Sequence, residues 1–470
     1  MYRTRTVRAV GYLLSAVEAM DVLESVMDES FDWKWTEPAG EPDTAPAPPP
    51  TSDPEVLAIA KTLKLTNLAV PSRRMVSVFM GGKINPECFK TSPFIMRLKS
   101  YCLERFVREK GGEIVYTTDF IERGDGNEIP PSYQIVKTRA GSIRFLEVGY
   151  VFVRLPDRRL VVQFEYREIG NRIVCSINVF SQSGGRAFFA EFSKFARANH
   201  YLVGQAAFAD GEPIIHSRRY TWNDVVVPDQ VRTTIRTHVE TFLIHSTRLK
   251  RAGIKSRRGI IFSGPPGTGK TLIGKVLADT LCTSFLWVLP RHISNISDVA
   301  AVLEAARFMS PVVLLFEDLD LFGEDRDMGK SGLLGELMNQ LDGAADNDGI
   351  VSIATTNRLD VVERALRNRP GRFDRVVELG LPDEKTRRRL FERLLSYNAV
   401  NEAGLAYLVA ATDQHTPAQV EELVNTMHLL LAEREEVRTS VANPMFSTEL
   451  IQAAVRDLGV HEAKRIGFQS

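Results

Sequence analysis

The sequence predicts an α/β protein in two folded parts. The first is an α+β region built on an antiparallel sheet; the second is a parallel sheet with helices on both faces and a helical C-terminal segment. Three observations carry this. From residue 220 onward short apolar runs alternate with helical periodicity, the signature of strands joined by helical crossovers. Between residues 143 and 180, three Val/Ile/Phe/Tyr-rich runs are separated only by tight turns, as in a meander. After Pro382 every signal is helical.

The chain has 470 residues, 44% hydrophobic and 25% charged, which excludes a disordered, collagen-like or coiled-coil protein. Lys plus Arg (59) equals Asp plus Glu (59), so no bulk field draws the chain to nucleic acid or an anionic surface. The four cysteines, Cys88, Cys102, Cys175 and Cys282, are scattered without a C-x-x-C pair, which fits a reducing, cytoplasmic setting. No apolar run reaches the ~18 residues that span a bilayer. Arg3, Arg5 and Arg8 ahead of Ala9–Val17 imitate a targeting signal, but acids follow, so residues 1–36 read as a helical segment. Residues 37–54 hold seven prolines and form a linker.

Residues 55–215 read as the α+β region, a recognition or assembly domain. Pro54–Leu65 and Phe94–Lys110 are helical; Ile143–Leu155, Leu160–Arg167 and Asn171–Phe180 are strands. Ala187–Asn199 is a helix with Phe188, Phe189, Phe192 and Phe195 on one face, a core stripe. Residues 220–382 hold the parallel-sheet strands Gly259–Phe262, Ser284–Leu289, Val312–Phe316, Ile350–Ala354 and Val376–Leu379. Residues 383–470 form a helical lid.

Gly264-Pro265-Pro266-Gly267-Thr268-Gly269-Lys270-Thr271 matches G-x-x-x-x-G-K-[ST] between a strand and the helix that Leu272 continues. Glycines let backbone N–H groups cradle phosphates, and the helix N-terminus adds its free donors. Lys270 then reaches the β- and γ-phosphates of ATP, and the Thr271 hydroxyl ligates Mg²⁺. Val312–Phe316 ends in Glu317 and Asp318. At the carboxyl end of a parallel strand this pair faces the bound phosphates, Glu317 toward Mg²⁺ and Asp318 toward the attacking water.

With these motifs the sequence resembles the AAA clade of the AAA+ ATPases, which remodel proteins. The resemblance covers residues 220–470 and extends to three further stretches. Tyr220-Thr-Trp-Asn-Asp-Val225 resembles the leading segment that lines the adenine site, implying Asp224 and Val225 there. Ser352-Ile-Ala-Thr-Thr-Asn-Arg358 resembles the strand that places a polar sensor, Asn357, near the γ-phosphate. Arg369-Pro-Gly-Arg-Phe-Asp-Arg375 resembles the arginine-finger segment, implying that Arg369 and Arg372 reach a neighbouring subunit's nucleotide. Such sites imply a closed homo-oligomeric ring, most often a hexamer, with a protein substrate or adaptor as partner. One extra residue in Ala365-Leu-Arg-Asn-Arg369 leaves Arg367 and Arg369 both open as first finger; Arg369 is favoured because Pro-Gly-Arg372 follows it directly.

The sequence departs from the family where Asp-Glu is usual and Glu317-Asp318 stands. That order and Arg257-Arg258-Gly259 resemble the mitochondrial Rieske-protein translocase branch. The aromatic-hydrophobic-glycine grip of threading unfoldases is replaced by Pro290-Arg-His-Ile-Ser-Asn-Ile-Ser297, so the resemblance puts Arg291, His292 and Ile293 at the central channel, with His292 an exposed loop residue. The basic runs Lys255-Ser-Arg-Arg258 and Arg387-Arg-Arg389 read as solvated faces. The reading is a chaperone-like ATP hydrolase that remodels or disassembles a protein partner. Its alternative is a nucleotide-gated scaffold with slow or no turnover. The absence of a basic-aromatic groove speaks against nucleic-acid remodelling.

Overall fold

The computed structural model describes residues 76–77, 79–81, 84–118, 131–169, 172–253, 258–324, 333–342, 347–366, 373, 375–395, 400–433 and 446–466. The expectations for residues 1–36 and 37–54, for the helix Pro54–Leu65, and for Lys255, Arg257, Arg367, Arg369 and Arg372 fall outside them. The chain divides into two compact units, Met1–Val203 and Gly204–Ser470.

In the first unit the strands are β1 (Asn85–Thr91), β2 (Glu113–Thr118), β3 (Ser132–Thr138), β4 (Gly141–Arg154), β5 (Arg159–Ile169) and β6 (Arg172–Ser181). All pairs are antiparallel, in the order β1-β6-β5-β4-β2, with β3 also on β4. Two helices accompany them. α1 (Pro93–Glu109) starts where the Ser92 hydroxyl accepts from the Ile95 amide and Pro93 occupies the first turn. α2 (Gly185–Asn199) presents the phenylalanine stripe. Phe188 and Phe192 are buried, and the Phe106 ring of α1 meets those of Phe188, Phe192 and Phe195 at 5.5, 5.4 and 5.3 Å. Phe189 stacks on Phe89 at 3.7 Å. The stripe is the seam that holds α2 to α1 and the sheet edge.

The second unit is built on six strands: β7 (Ala206–Phe208), β8 (Arg258–Ser263), β9 (Ser284–Val288), β10 (Val312–Phe316), β11 (Ile350–Thr356) and β12 (Arg375–Glu378). The order is β12-β8-β11-β10-β9-β7 and every pair is parallel. β9, β10 and β11 are buried along their whole length, which is why they read as unbroken apolar runs rather than alternations. The sequence reading closed the antiparallel region at residue 215. The structure places the division at Val203/Gly204, because Ala206–Phe208 extends the parallel sheet beside β9, and Ile214 folds back so that its amide donates to the Ala206 carbonyl.

The cassette helices are α3 (Asp229–Arg236), α4 (Phe242–Arg251), α5 (Lys270–Thr280), α6 (Ile296–Met309), α7 (Leu321–Glu324), α8 (Leu333–Asp342) and α9 (Leu359–Leu366). The lid consists of α10 (Glu384–Leu394), α11 (Glu402–Ala411), α12 (Pro417–Glu433) and α13 (Thr448–Ile466) around its own core, with Phe391, Leu408, Val420, Leu423 and Met427 fully buried. Arg387 corrects the sequence reading. It is buried, not solvated: its guanidinium donates to the Val409 and Pro382 carbonyls and pairs with Asp413. Arg388 and Arg389 do lie at the surface, paired with Glu402 and Asp229.

Candidate active site

Lys270, Thr271, Glu317, Asp318 and Asn357 lie at one end of the parallel sheet, because parallel strands deliver their following loops to the same edge. β8 ends at Ser263, and residues 264–269 turn into α5. The turn requires glycine. At Gly264 (φ 152°) a Cβ would sit 2.1 Å from the Leu379 carbonyl oxygen; Gly267 and Gly269 have φ of 79° and 97°. Lys270 is buried, and its Nζ donates to the Gly264 and Pro265 carbonyls at 2.7 and 2.8 Å. Burial pulls its amine below the usual lysine pKa, against the opposing pull of Asp318 and Asp320.

β10 delivers the acids. The Glu317 amide donates to the Val288 carbonyl (2.9 Å), so the chain still follows β9 one residue past the strand. Glu317 Oε1 accepts from the Thr271 hydroxyl at 2.5 Å and Oε2 from Trp287 Nε1 at 2.9 Å. A hydroxyl and a carboxylate are hard oxygen donors, the set Mg²⁺ takes, so the pair fits the ion assigned to it. Asp318 turns through φ 48°, a left-handed conformation that aspartate tolerates. Its amide donates to Thr355 Oγ1 (2.9 Å), and Asn357 Nδ2 reaches its Oδ1 at 3.4 Å. Burial raises the Asp318 pKa above the ordinary carboxylate range; the charges of Glu317 and Asp320 add to this and Lys270 opposes it.

The structure thus gathers Lys270, Thr271, Glu317, Asp318 and Asn357 from three strand ends. Asp320 was missed in the sequence. It is buried, accepts from Thr356 Oγ1 (2.7 Å) and the Asn357 amide (3.2 Å), and so fixes the backbone that carries Asn357. Its signal was available: a third acid two residues past the pair, with two threonines ahead of Asn357.

Asp224 ends a short helical turn, Trp222–Asp224, and Val225 follows it in extended conformation. The Asp224 carboxylate accepts from the Thr221 amide (2.7 Å) and pairs with Arg218 (2.7 Å) and lid Arg393 (3.5 Å). Its side chain therefore holds the segment in place. Val225 is buried in the cassette core. The segment is fastened to α5 by Asp279, whose carboxylate receives the Tyr220 amide and pairs with His216 Nδ1, both at 2.9 Å. Closure above the loop comes from the lid, where the Ala418 amide donates to the Gly267 carbonyl (3.1 Å).

Residues 260–381 match the family described as "ATPase family associated with various cellular activities (AAA)". This stretch is an AAA ATPase domain. The chain is 32% identical over 238 residues to an "ATP-dependent zinc metalloprotease FtsH 3" of Symbiobacterium thermophilum, covering 48% of this chain and 38% of that protein. It is 29% identical over 271 residues to a "Probable 26S proteasome regulatory subunit 4" of Caenorhabditis elegans, covering 53% and 61%. The chain therefore matches well under half of the FtsH relative and about three fifths of the proteasomal one.

The AAA domain departs from expectation after β9. His292 and Ile293 do not face outward. Pro290–His292 forms a short helical turn, Ile293 is buried, and the His292 ring lies against Phe208 (5.9 Å) with Nδ1 accepting from the Leu289 amide (3.0 Å). Asp210 lies 3.6 Å from its Nε2. The added strand β7 supplies the surface that pulls this turn inward. The exposed residues are Arg291 and Ser294–Ser297, including Ile296 at the head of α6.

Proposed function

We propose that the chain is a ring-forming ATPase that couples binding and hydrolysis of Mg²⁺-ATP to remodelling or disassembly of a protein partner, with the first unit as its recognition or assembly module. The carrying observation is the convergence of Lys270, Thr271, Glu317, Asp318 and Asn357 at one sheet edge beneath a lid. In this reading Lys270 exchanges its two carbonyl partners for phosphate oxygens, and the loop amides complete the cradle. Asp224 and Val225 border the base. Asp318 accepts the proton of the attacking water while Asn357 orients it. Thr271 and Glu317 hold Mg²⁺, which when bound neutralises phosphate charge. Arg369 and Arg372 of an adjacent copy stabilise the charge that spreads in the transition state. The four cysteines, Cys88, Cys102, Cys175 and Cys282, scattered without a C-x-x-C pair, support a reducing, cytoplasmic setting. Among the described residues no helix is long and apolar enough to cross a membrane.

Steady-state ATP hydrolysis and sedimentation with and without nucleotide test the proposal. Turnover is lost in Lys270→Ala and falls by about 10²–10⁴ in Asp318→Asn. The Asp318→Asn protein, held in ATP, co-purifies as a ring with its partner. The Glu317-Asp318 order favours a second reading, the nucleotide-gated scaffold; wild-type turnover far below about 1 per second selects it. A protein that stays monomeric in Mg²⁺-ATP and hydrolyses at full rate refutes the ring.

A further inference from the structure

Glutamate at position 317 carries its carboxylate one methylene farther from the backbone than the aspartate usual in the family. The extra torsion adds rotamers, and only some keep an oxygen at Thr271. Something must select among them. The structure offers Trp287. Its indole is nearly buried, and an indole has one N–H donor and no acceptor, so burial demands a partner. That partner is Glu317 Oε2 at 2.9 Å, a charge-assisted bond. With Oε2 tethered, Oε1 is left on the Thr271 hydroxyl at 2.5 Å.

The surroundings are built for this indole. Trp287 lies opposite Leu315 in the β9–β10 register and faces α5 at Gly274. Gly274 has no left-handed φ to explain it. A Cβ there would lie 2.8 Å from Leu315 Cδ2 and 3.1 Å from Trp287 Cη2, so the helix gives up a side chain to make room. Space, donor and acceptor come from three separate elements and meet at one carboxylate.

We propose that Trp287 is a positioning residue that locks the Glu317 carboxylate toward Thr271, so that glutamate serves at the metal-facing position. The inference rests on the ATPase reading above for its role, but the contact can be measured without turnover. The first readout is the ¹⁵N–¹H indole resonance of Trp287 in the full chain without nucleotide, identified by its loss in Trp287→Phe. It lies downfield, as a charge-assisted donor does, and moves upfield in Glu317→Ala. The second readout is the Mg²⁺ concentration giving half-maximal hydrolysis. It rises about tenfold in Trp287→Phe, while affinity for a fluorescent ADP analogue without Mg²⁺ stays within twofold. A purely structural tryptophan would lower stability without separating these two numbers. An indole resonance unmoved by Glu317→Ala overturns the proposal, as does a folded Trp287→Phe with the wild-type Mg²⁺ requirement. If Trp287→Phe does not fold, the resonance in wild type and Glu317→Ala still decides. If the wild type hydrolyses nothing, the ATPase reading fails and the resonance alone decides the contact.

Discussion

Gly274→Ala sets two effects of opposite sign against each other, and the structure says which prevails. In an open helix this change stabilises by about 0.8–1 kcal/mol, because alanine is the better helix former. At position 274 the new Cβ comes 2.8 Å from Leu315 Cδ2 and 3.1 Å from Trp287 Cη2. Carbon atoms settle at ~3.5–4.0 Å, so the nearer contact is short by roughly 0.7 Å or more. Neither neighbour has anywhere to go: Leu315 is fully buried in the central strand and Trp287 is 4% exposed. Overpacking of this kind costs about 1–3 kcal/mol. At the middle and upper part of that range, the net loss is about 1–2 kcal/mol, or roughly 2–6 °C in Tm for a unit of this size. Differential scanning calorimetry of the full chain measures it. Gly380→Ala, where no atom lies within 4 Å, is the matched control and leaves Tm unchanged or slightly raised. A Gly274→Ala protein as stable as wild type or more so would refute the packing argument.

Three other outcomes are expected. In the proposed mechanism Asp318 works as the base only when ionised, and its pKa is raised, so the rate falls as pH drops through that raised value; Asp320→Asn removes one of the charges that raise it while keeping an acceptor for Thr356, and moves the acidic limb of the kcat profile to lower pH. Gly267→Ala forces a left-handed alanine, about 1 kcal/mol, and presses on Ala418 at 2.9 Å; with the lid hydrogen bond weakened as well, ATP affinity measured by titration calorimetry drops roughly 30-fold, about 2 kcal/mol. Arg387→Leu removes the Pro382 carbonyl's donor and the nearer of two donors to the Val409 carbonyl, costs the lid about 1–3 kcal/mol, and lowers the first thermal transition.

The strands that carry the site were legible because their signals are local. Val312–Phe316 has the same bounds in sequence and structure, since burial on both faces writes an unbroken apolar run that acids then stop. The phosphate loop was legible for the same reason: its glycines and Lys270 stand at fixed spacing within eight residues, and Gly267 and Gly269 answer to their own backbone φ. What escaped depends on distant partners. Ala206–Phe208 is too short to show any period, and it is a strand only because β9 offers an edge. His292 turns inward because that strand is there. Arg387 had a readable clue in the spacing 387, 390, 391, a helical face it shares with buried Leu390 and Phe391, but an arginine in an arginine run is usually exposed. Trp287 reads as one more apolar strand residue until its N–H is placed against Glu317.

Three of the polar contacts between lid and cassette are unequal. Arg389–Asp229 spans 3.3 Å between a half-buried arginine and a solvent-facing aspartate, so screening and side-chain entropy leave it little weight. Arg393 donates to the Asp224 backbone carbonyl and lies 3.5 Å from its carboxylate, which ties the lid to the Trp222–Asp224 turn. The Ala418 amide bonds the Gly267 carbonyl in the phosphate loop itself. The last two attach the lid to main-chain atoms of the Asp224 segment and of the phosphate loop, and the Asp224 segment is anchored to α5 by Asp279. A loop that rearranges when Lys270 changes partners therefore moves against a lid it already touches. Under the proposed function the lid is thus coupled to the loop through main-chain atoms, and Gly267→Ala and Arg393→Ala are expected to weaken that coupling separately, the first at the phosphate loop and the second at the Asp224 segment.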